Sequence, residues 1–151
     1  MKEGVSLSEN NNIHLTFPTG LVLKLDAGDF TLLTDYSEER GGNNLAINPW
    51  RVFLSSIIAC QGVNLAKYCR AKGIDYSKVS IDLIPFVEDT ARDEFPEYHL
   101  KVRLPEEFPQ EVIQEMVDSF TNCPVVNHLT VLKPIFKTYI NGQLMKTRAR
   151  K

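Results

Sequence analysis

The chain has 151 residues, 43% hydrophobic and 24% charged, with a net charge of −2 at pH 7. That is long enough for one domain with a real core and ordinary for a soluble protein. Basic residues are scattered except in Lys146-Thr147-Arg148-Ala149-Arg150-Lys151, so no basic face is offered to nucleic acid. Met1-Lys2-Glu3-Gly4 leads into a polar segment rather than the apolar core of a secretion signal. The longest apolar-rich stretch, residues 52–66, is interrupted by Ser, Cys, Gln, Gly and Asn, so it is expected to fall short of a membrane span. Three cysteines in a chain without an export signal point to a reducing, cytoplasmic compartment, where a disulfide is transient and catalytic.

Residues 1–10 are expected to be loosely ordered, 11–145 to form a single domain, and 146–151 to form a basic tail. Three short strands are expected at 13–17, 21–25 and 30–33. The turn clusters Pro18-Thr19-Gly20 and Asp26-Ala27-Gly28-Asp29 separate them at hairpin spacing. A polar loop over 35–47 contains Gly41-Gly42, and then Asn48 caps a helix with Pro49 at its first position. This helix runs to about Lys72, where Gly73 stops it. Its apolar residues fall on more than one face, the pattern of a helix buried on all sides. One small chain can hardly wrap such a helix, which implies a homodimer.

Strands are expected at 79–88 and 97–104, joined by a charged loop. A helix opens at Pro109 with Val112, Ile113, Met116, Val117 and Phe120 at helical spacing. Asn122-Cys123-Pro124 restarts a short helix through about Leu129. A last strand over 134–140 ends at Asn141-Gly142. The order is β-β-β-α-β-β-α-α-β, an α+β fold.

The chemistry rests on the thiols. Cys60 and Cys69 are nine positions apart on one helix, about 13 Å along its axis and on opposite faces. A disulfide needs Cα atoms within about 7 Å, so Cys69 reads as a packing residue. Nothing local forbids Cys60 from meeting Cys123, and Cys123 at a helix start is expected to have a lowered pKa. A buried cysteine without a cation is equally a small hydrophobe, and spacing alone leaves both readings open. His14, His99 and His128 are isolated and no Cys-x-x-Cys is present, so no metal is expected. Phosphate-binding glycine loops and a Gly-x-Ser-x-Gly elbow are absent, and no cofactor is expected.

Taken together, Asp35, Gly41-Gly42, Asn48-Pro49, Leu54, Ala59-Cys60, Asn122-Cys123-Pro124-Val125 and Leu129 resemble the OsmC/Ohr family (osmotically induced and organic hydroperoxide resistance proteins). The resemblance runs from about residue 21 to 140. It implies an intertwined homodimer with two long central helices flanked by curved antiparallel or mixed sheets. It further implies that Cys60 attacks the O–O bond of a hydroperoxide and becomes a sulfenic acid. Cys123 then resolves this to a disulfide, and an external dithiol restores both thiols. Trp50, Phe53, Ser56 and Ile57 would line the pocket.

The chain departs from the hydroperoxide-resistance pattern at two positions. Trp50 stands where that branch has a glutamate, and no arginine precedes Arg40. Arg40, Arg51 and Lys24 are the candidates to stabilise the thiolate. Arg51 lies nine residues before Cys60 and on the far side of the helix, about 13 Å away, so it would serve only a partner's thiol. Three functions follow for comparison: a thiol-dependent hydroperoxide reductase, a non-peroxidatic dimer binding a small apolar or thiol ligand, and a purely structural dimer. No nucleic acid or membrane partner is expected.

Overall fold

A computed structural model of the chain describes residues 12–86, 97–131 and 135–149. The elements are β1 (Ile13–Thr19), β2 (Val22–Ala27), β3 (Phe30–Thr34), α1 (Pro49–Lys72), β4 (Ser80–Phe86), β5 (Glu97–Arg103), α2 (Ile113–Ser119), α3 (Pro124–Thr130), β6 (Ile135–Ile140) and β7 (Gln143–Ala149). This is an α+β fold in which, among the described residues, every strand pairing is antiparallel: one three-stranded sheet, β1-β2-β3, and the hairpins β4-β5 and β6-β7. The chain divides into two compact units, Met1–Phe53 and Leu54–Lys151, with the boundary inside α1.

In the first unit the meander turns at Gly20 and Gly28, both with positive φ, where a side chain would be strained. Pro18 lies in β1, an edge strand whose register slips between Thr16 and Thr19; a missing N–H is tolerated there. After β3 a single carboxylate organises the connection. Asp35, 1% exposed, accepts the N–H groups of Tyr36 at 2.8 Å, Asn43 at 3.0 Å and Leu45 at 3.2 Å. Its own N–H donates to the Ile47 carbonyl at 3.3 Å. The loop is thereby folded around one buried anion. Burial pushes that carboxyl up, but the three N–H donors outweigh it and hold Asp35 below the usual carboxylate value. Gly42 packs so closely here that a Cβ would run into the Tyr36 carbonyl and the Asp35 carboxylate.

Local rules set both ends of α1. Asn48 Oδ1 accepts the Arg51 N–H at 2.8 Å, satisfying one orphan donor of the first turn. At the other end Gly73 adopts φ 68°. Its N–H reaches the Arg70 carbonyl, while the Ile74 N–H reaches that of Cys69 at 2.9 Å, a Schellman stop. The helix was expected to be buried on all sides. Within this chain only one stripe is buried, Ile57, Gln61, Leu65 and Cys69, at the i, i+4 spacing that puts residues on one face. Val63, off that stripe, is 51% exposed. By length and composition α1 does reach what a membrane crossing requires, unlike the expectation drawn from residues 52–66. Its C-terminal half does reach the core: Leu65 and Cys69 form the centre of the second unit with Phe108 and Met116.

Around that centre the β4-β5 hairpin contributes Ile81 and Val102, which face each other across the ladder. The charged loop expected between the two strands lies outside the described residues. Pro109 stays extended and the chain tightens through a 3-10 turn, Gln110–Val112, so α2 begins at Ile113. The end of α1 is tied to α2 by Glu115, which accepts from Tyr68 Oη at 2.8 Å and Lys72 Nζ at 3.0 Å. Burial, followed by this carboxylate, pushes the Tyr68 phenol up to about 12.

The C-terminus differs from expectation. Asn141 and Gly142 both take positive φ, 48° and 80°, as a two-residue hairpin turn requires. The chain therefore returns as β7, and Lys146 and Arg148 are strand residues facing Thr138 and Phe136 rather than part of a tail.

Candidate functional site

The two cysteines of interest come from different helices of the second unit. Cys60 is on α1, while Cys123 is the N-cap of α3. Their sulfurs are 2.6 Å apart, with the Cys123 thiol donating to Cys60 Sγ. Pro124 at the first helical position and the extended backbone of Cys123 start the helix. The Cys123 side chain then takes the capping role, accepting the Val126 N–H at 3.4 Å. Cys60 is half-buried, and Cys123 is fully buried.

The helix start was expected to lower the Cys123 pKa, and the structure reverses that sign. Burial pushes the thiol up and the Cys60 sulfur adds to it; the N–H groups of Val126 and Val125 pull the other way and do not compensate. A seven-residue helix supplies too little field to offset the loss of water from a completely enclosed thiol. No lysine or arginine among the described residues is in the set of groups shifting it. Cys69 is buried with Leu65 and Met116 and also pushed up by burial. It is the packing residue that its helical position implied.

The other expected site residues fall in two groups. Ser56 and Ile57 share α1 with Cys60 in the second unit, Ser56 exposed and Ile57 in the buried stripe. Lys24, Arg40, Trp50, Arg51 and Phe53 belong to the first unit, whereas the thiol pair is built wholly from the second. Lys24 holds Asp26 on its own strand at 2.9 Å. Arg40 ends the exposed 3-10 turn Glu38–Arg40. Arg51 is in the first turn of α1. Trp50 and Phe53 stack with ring centroids 5.0 Å apart and tilted 32°.

Two residues beside Cys60 escaped the sequence reading. Gln61 and Asn64 each carry a buried polar atom without a hydrogen-bond partner among the described residues, Oε1 and Nδ2 respectively. The available signal was two side-chain amides three positions apart in an otherwise apolar run next to a cysteine.

An α+β chain with one cysteine on a long helix, touching a second at the start of a later helix, defines a class of two-thiol proteins. The sequence profile of the OsmC-like protein family matches residues 41–135, and the chain belongs to that family. No curated protein matches the sequence significantly. Among solved structures it is similar to a candidate osmotic stress induced and detoxification response protein of Psychrobacter arcticus. That match has a TM-score of 0.66 and 15% identity, covering 82% of this chain and 90% of that one. An OsmC-like protein of Mycoplasma pneumoniae is similar with a TM-score of 0.59 and 18% identity, over 83% and 91% of the two chains. At these identities the likeness concerns the fold.

Proposed function

We infer that the protein is a thiol-dependent hydroperoxide reductase in which Cys60 attacks and Cys123 resolves. The observation that carries this reading is the 2.6 Å approach of two sulfurs from separate helices. Cys123 is fully buried and its pKa is raised, so it keeps its proton while the half-buried Cys60 meets the peroxide. The Cys60 thiolate forms an S–O bond with the outer oxygen, the O–O bond breaks, and the alkoxide leaves as alcohol after taking a proton. Cys123 then attacks the sulfenic sulfur. An S–S bond forms, the S–O bond breaks, and hydroxide leaves with the Cys123 proton as water. Peroxide gains two electrons from two thiols, and an external dithiol reduces the disulfide in a reducing, cytoplasmic compartment.

The functional unit in this reading is a homodimer. Val63, 51% exposed on α1, is apolar surface that a second copy would cover. Sedimentation equilibrium at micromolar concentration is expected to return twice the 17.2 kDa chain mass.

The central test treats reduced protein with tert-butyl hydroperoxide and maps its peptides by mass spectrometry. A Cys60–Cys123 disulfide with Cys69 unmodified is the expected product. Absence of that disulfide, or unchanged peroxide consumption in Cys60→Ser, overturns the assignment. The Trp50–Phe53 aromatic pair favours a second reading, a dimer that binds a small apolar or thiol ligand. That reading predicts a ligand-dependent rise in melting temperature that Cys60→Ser leaves unchanged.

A further inference from the structure

The side chain of Cys123 makes two hydrogen bonds that run in one direction. Its sulfur accepts the Val126 N–H at 3.4 Å, and its S–H donates to Cys60 Sγ at 2.6 Å. Burial and the Cys60 sulfur both push this thiol up. At neutral pH the proton therefore stays on Cys123, which fixes it as the donor and Cys60 as the acceptor. An N–H received by a sulfur polarises the S–H on its other side, because hydrogen bonds in a chain strengthen one another. The last acceptor of this chain is the sulfur that must carry negative charge before it can attack.

We propose that Cys123 activates Cys60 as well as resolving it: its S–H hydrogen-bonds the Cys60 thiolate before the peroxide arrives. A hydrogen bond to an ionised acceptor is stronger than one to a neutral acceptor, so the contact tightens as Cys60 ionises and favours the charged form. The donor is a neutral thiol, and one residue serves both steps of the cycle. The proton released by Cys60 goes to solvent, while Cys123 keeps its own through the attack on the O–O bond. Cys123 gives that proton up only when it attacks the sulfenic sulfur, and the proton then leaves with hydroxide as water. The gain is bounded. One hydrogen bond to a charged sulfur is expected to raise the thiolate population about tenfold. A stabilised thiolate is also a weaker nucleophile, so the net gain in rate is about threefold. The proposal rests on the reading of Cys60 as the attacking thiol.

The test isolates the first step in full-length chains that cannot resolve it. Cys123→Ser keeps an O–H donor and the helix cap, whereas Cys123→Ala and Cys123→Val have no donor. Thiolate is read from ultraviolet absorbance at neutral pH, as the difference from the same chain carrying Cys60→Ser. Two rates at Cys60 are measured alongside: sulfenic acid formation with one equivalent of tert-butyl hydroperoxide, trapped by dimedone, and alkylation by iodoacetamide. Cys123→Ala and Cys123→Val are expected to hold about tenfold less thiolate and to react about threefold more slowly with both reagents. Cys123→Ser should recover the absorbance and both rates. Wild-type absorbance and rates in Cys123→Ala and Cys123→Val would confine Cys123 to resolution and overturn the proposal. More thiolate in those two variants would show that Cys123 acts only by keeping water from Cys60, and would overturn it too. So would a loss in Cys123→Ser as large as theirs, since the donor is then irrelevant. Should the wild-type protein form no Cys60–Cys123 disulfide with peroxide, the reductase reading fails, and absorbance and alkylation still decide whether the S–H supports a thiolate. A wild type that forms the disulfide, beside donor-free variants that match its first step, removes this inference alone.

Discussion

Cys123 donates its thiol to Cys60 across 2.6 Å, although the two are 63 positions apart in the chain. The contact joins the middle of α1 to the N-cap of the short helix α3, where capping geometry fixes Cys123. Cys123 is fully buried and Cys60 is half-buried. In the proposed cycle that asymmetry assigns attack to Cys60 and resolution to Cys123.

If Cys123 resolves, its removal strands the reaction halfway. In Cys123→Ser, a single equivalent of hydroperoxide is expected to oxidise Cys60 to a sulfenic acid that dimedone traps as one adduct per chain. Steady-state turnover should fall on the order of a hundredfold or more, because the neighbouring thiol's effective concentration is lost. Undiminished turnover in this variant, measured by peroxide consumption, would remove Cys123 from the cycle.

The buried thiols make stability depend on alkaline pH. Cys69 and Cys123 are both raised above the ordinary cysteine value of 9.0. The folded chain therefore keeps these protons after the unfolded chain has released them. Their contribution is full below pH 9.0 and is lost as pH rises through the folded values. Cys69→Ala should cost about 1 kcal/mol in packing below that pH and show a shallower alkaline decline, as followed by urea denaturation across a pH series.

Asp35 works in the opposite direction. Its folded value lies below the ordinary 3.8, so its contribution is present above pH 3.8 and disappears as pH falls through the folded value. Asp35→Ala strips three N–H groups of their acceptor and is expected to lower the melting temperature by several degrees at neutral pH. The acid limb of its stability profile should be flatter than that of the wild type.

Gly42 tests the same loop sterically. A methyl group there meets backbone and the Asp35 carboxylate rather than a flexible side-chain end, so Gly42→Ala should destabilise by about 2 kcal/mol. Gly41→Ala, which only places a side chain at φ 81°, should cost about 1 kcal/mol. Chemical denaturation of the two variants side by side would show whether the order holds.

Much of the architecture was legible from short-range signals. Asn48, Pro49 and Gly73 marked α1 to within a residue because caps and stops involve backbone groups at most five positions apart. The first hairpins were found at Gly20 and Gly28 for the same reason. The strand after Asn141-Gly142 was overlooked although the turn itself was visible. Residues 143–149 mix Lys146 and Arg148 with Leu144 and Met145, and in that mixture the charged residues read as a tail.

The sequence by itself determined the order of elements as far as β6, the limits of the long helix and the separation of Cys60 from Cys69, since each follows from repeat geometry along one segment. Only the tertiary structure decided that Cys60 and Cys123 touch, that Cys123 is raised rather than lowered, and that Gln61 and Asn64 carry unmatched polar atoms. Those three depend on burial and proximity. Residues distant in sequence create both, and no local pattern encodes the sum.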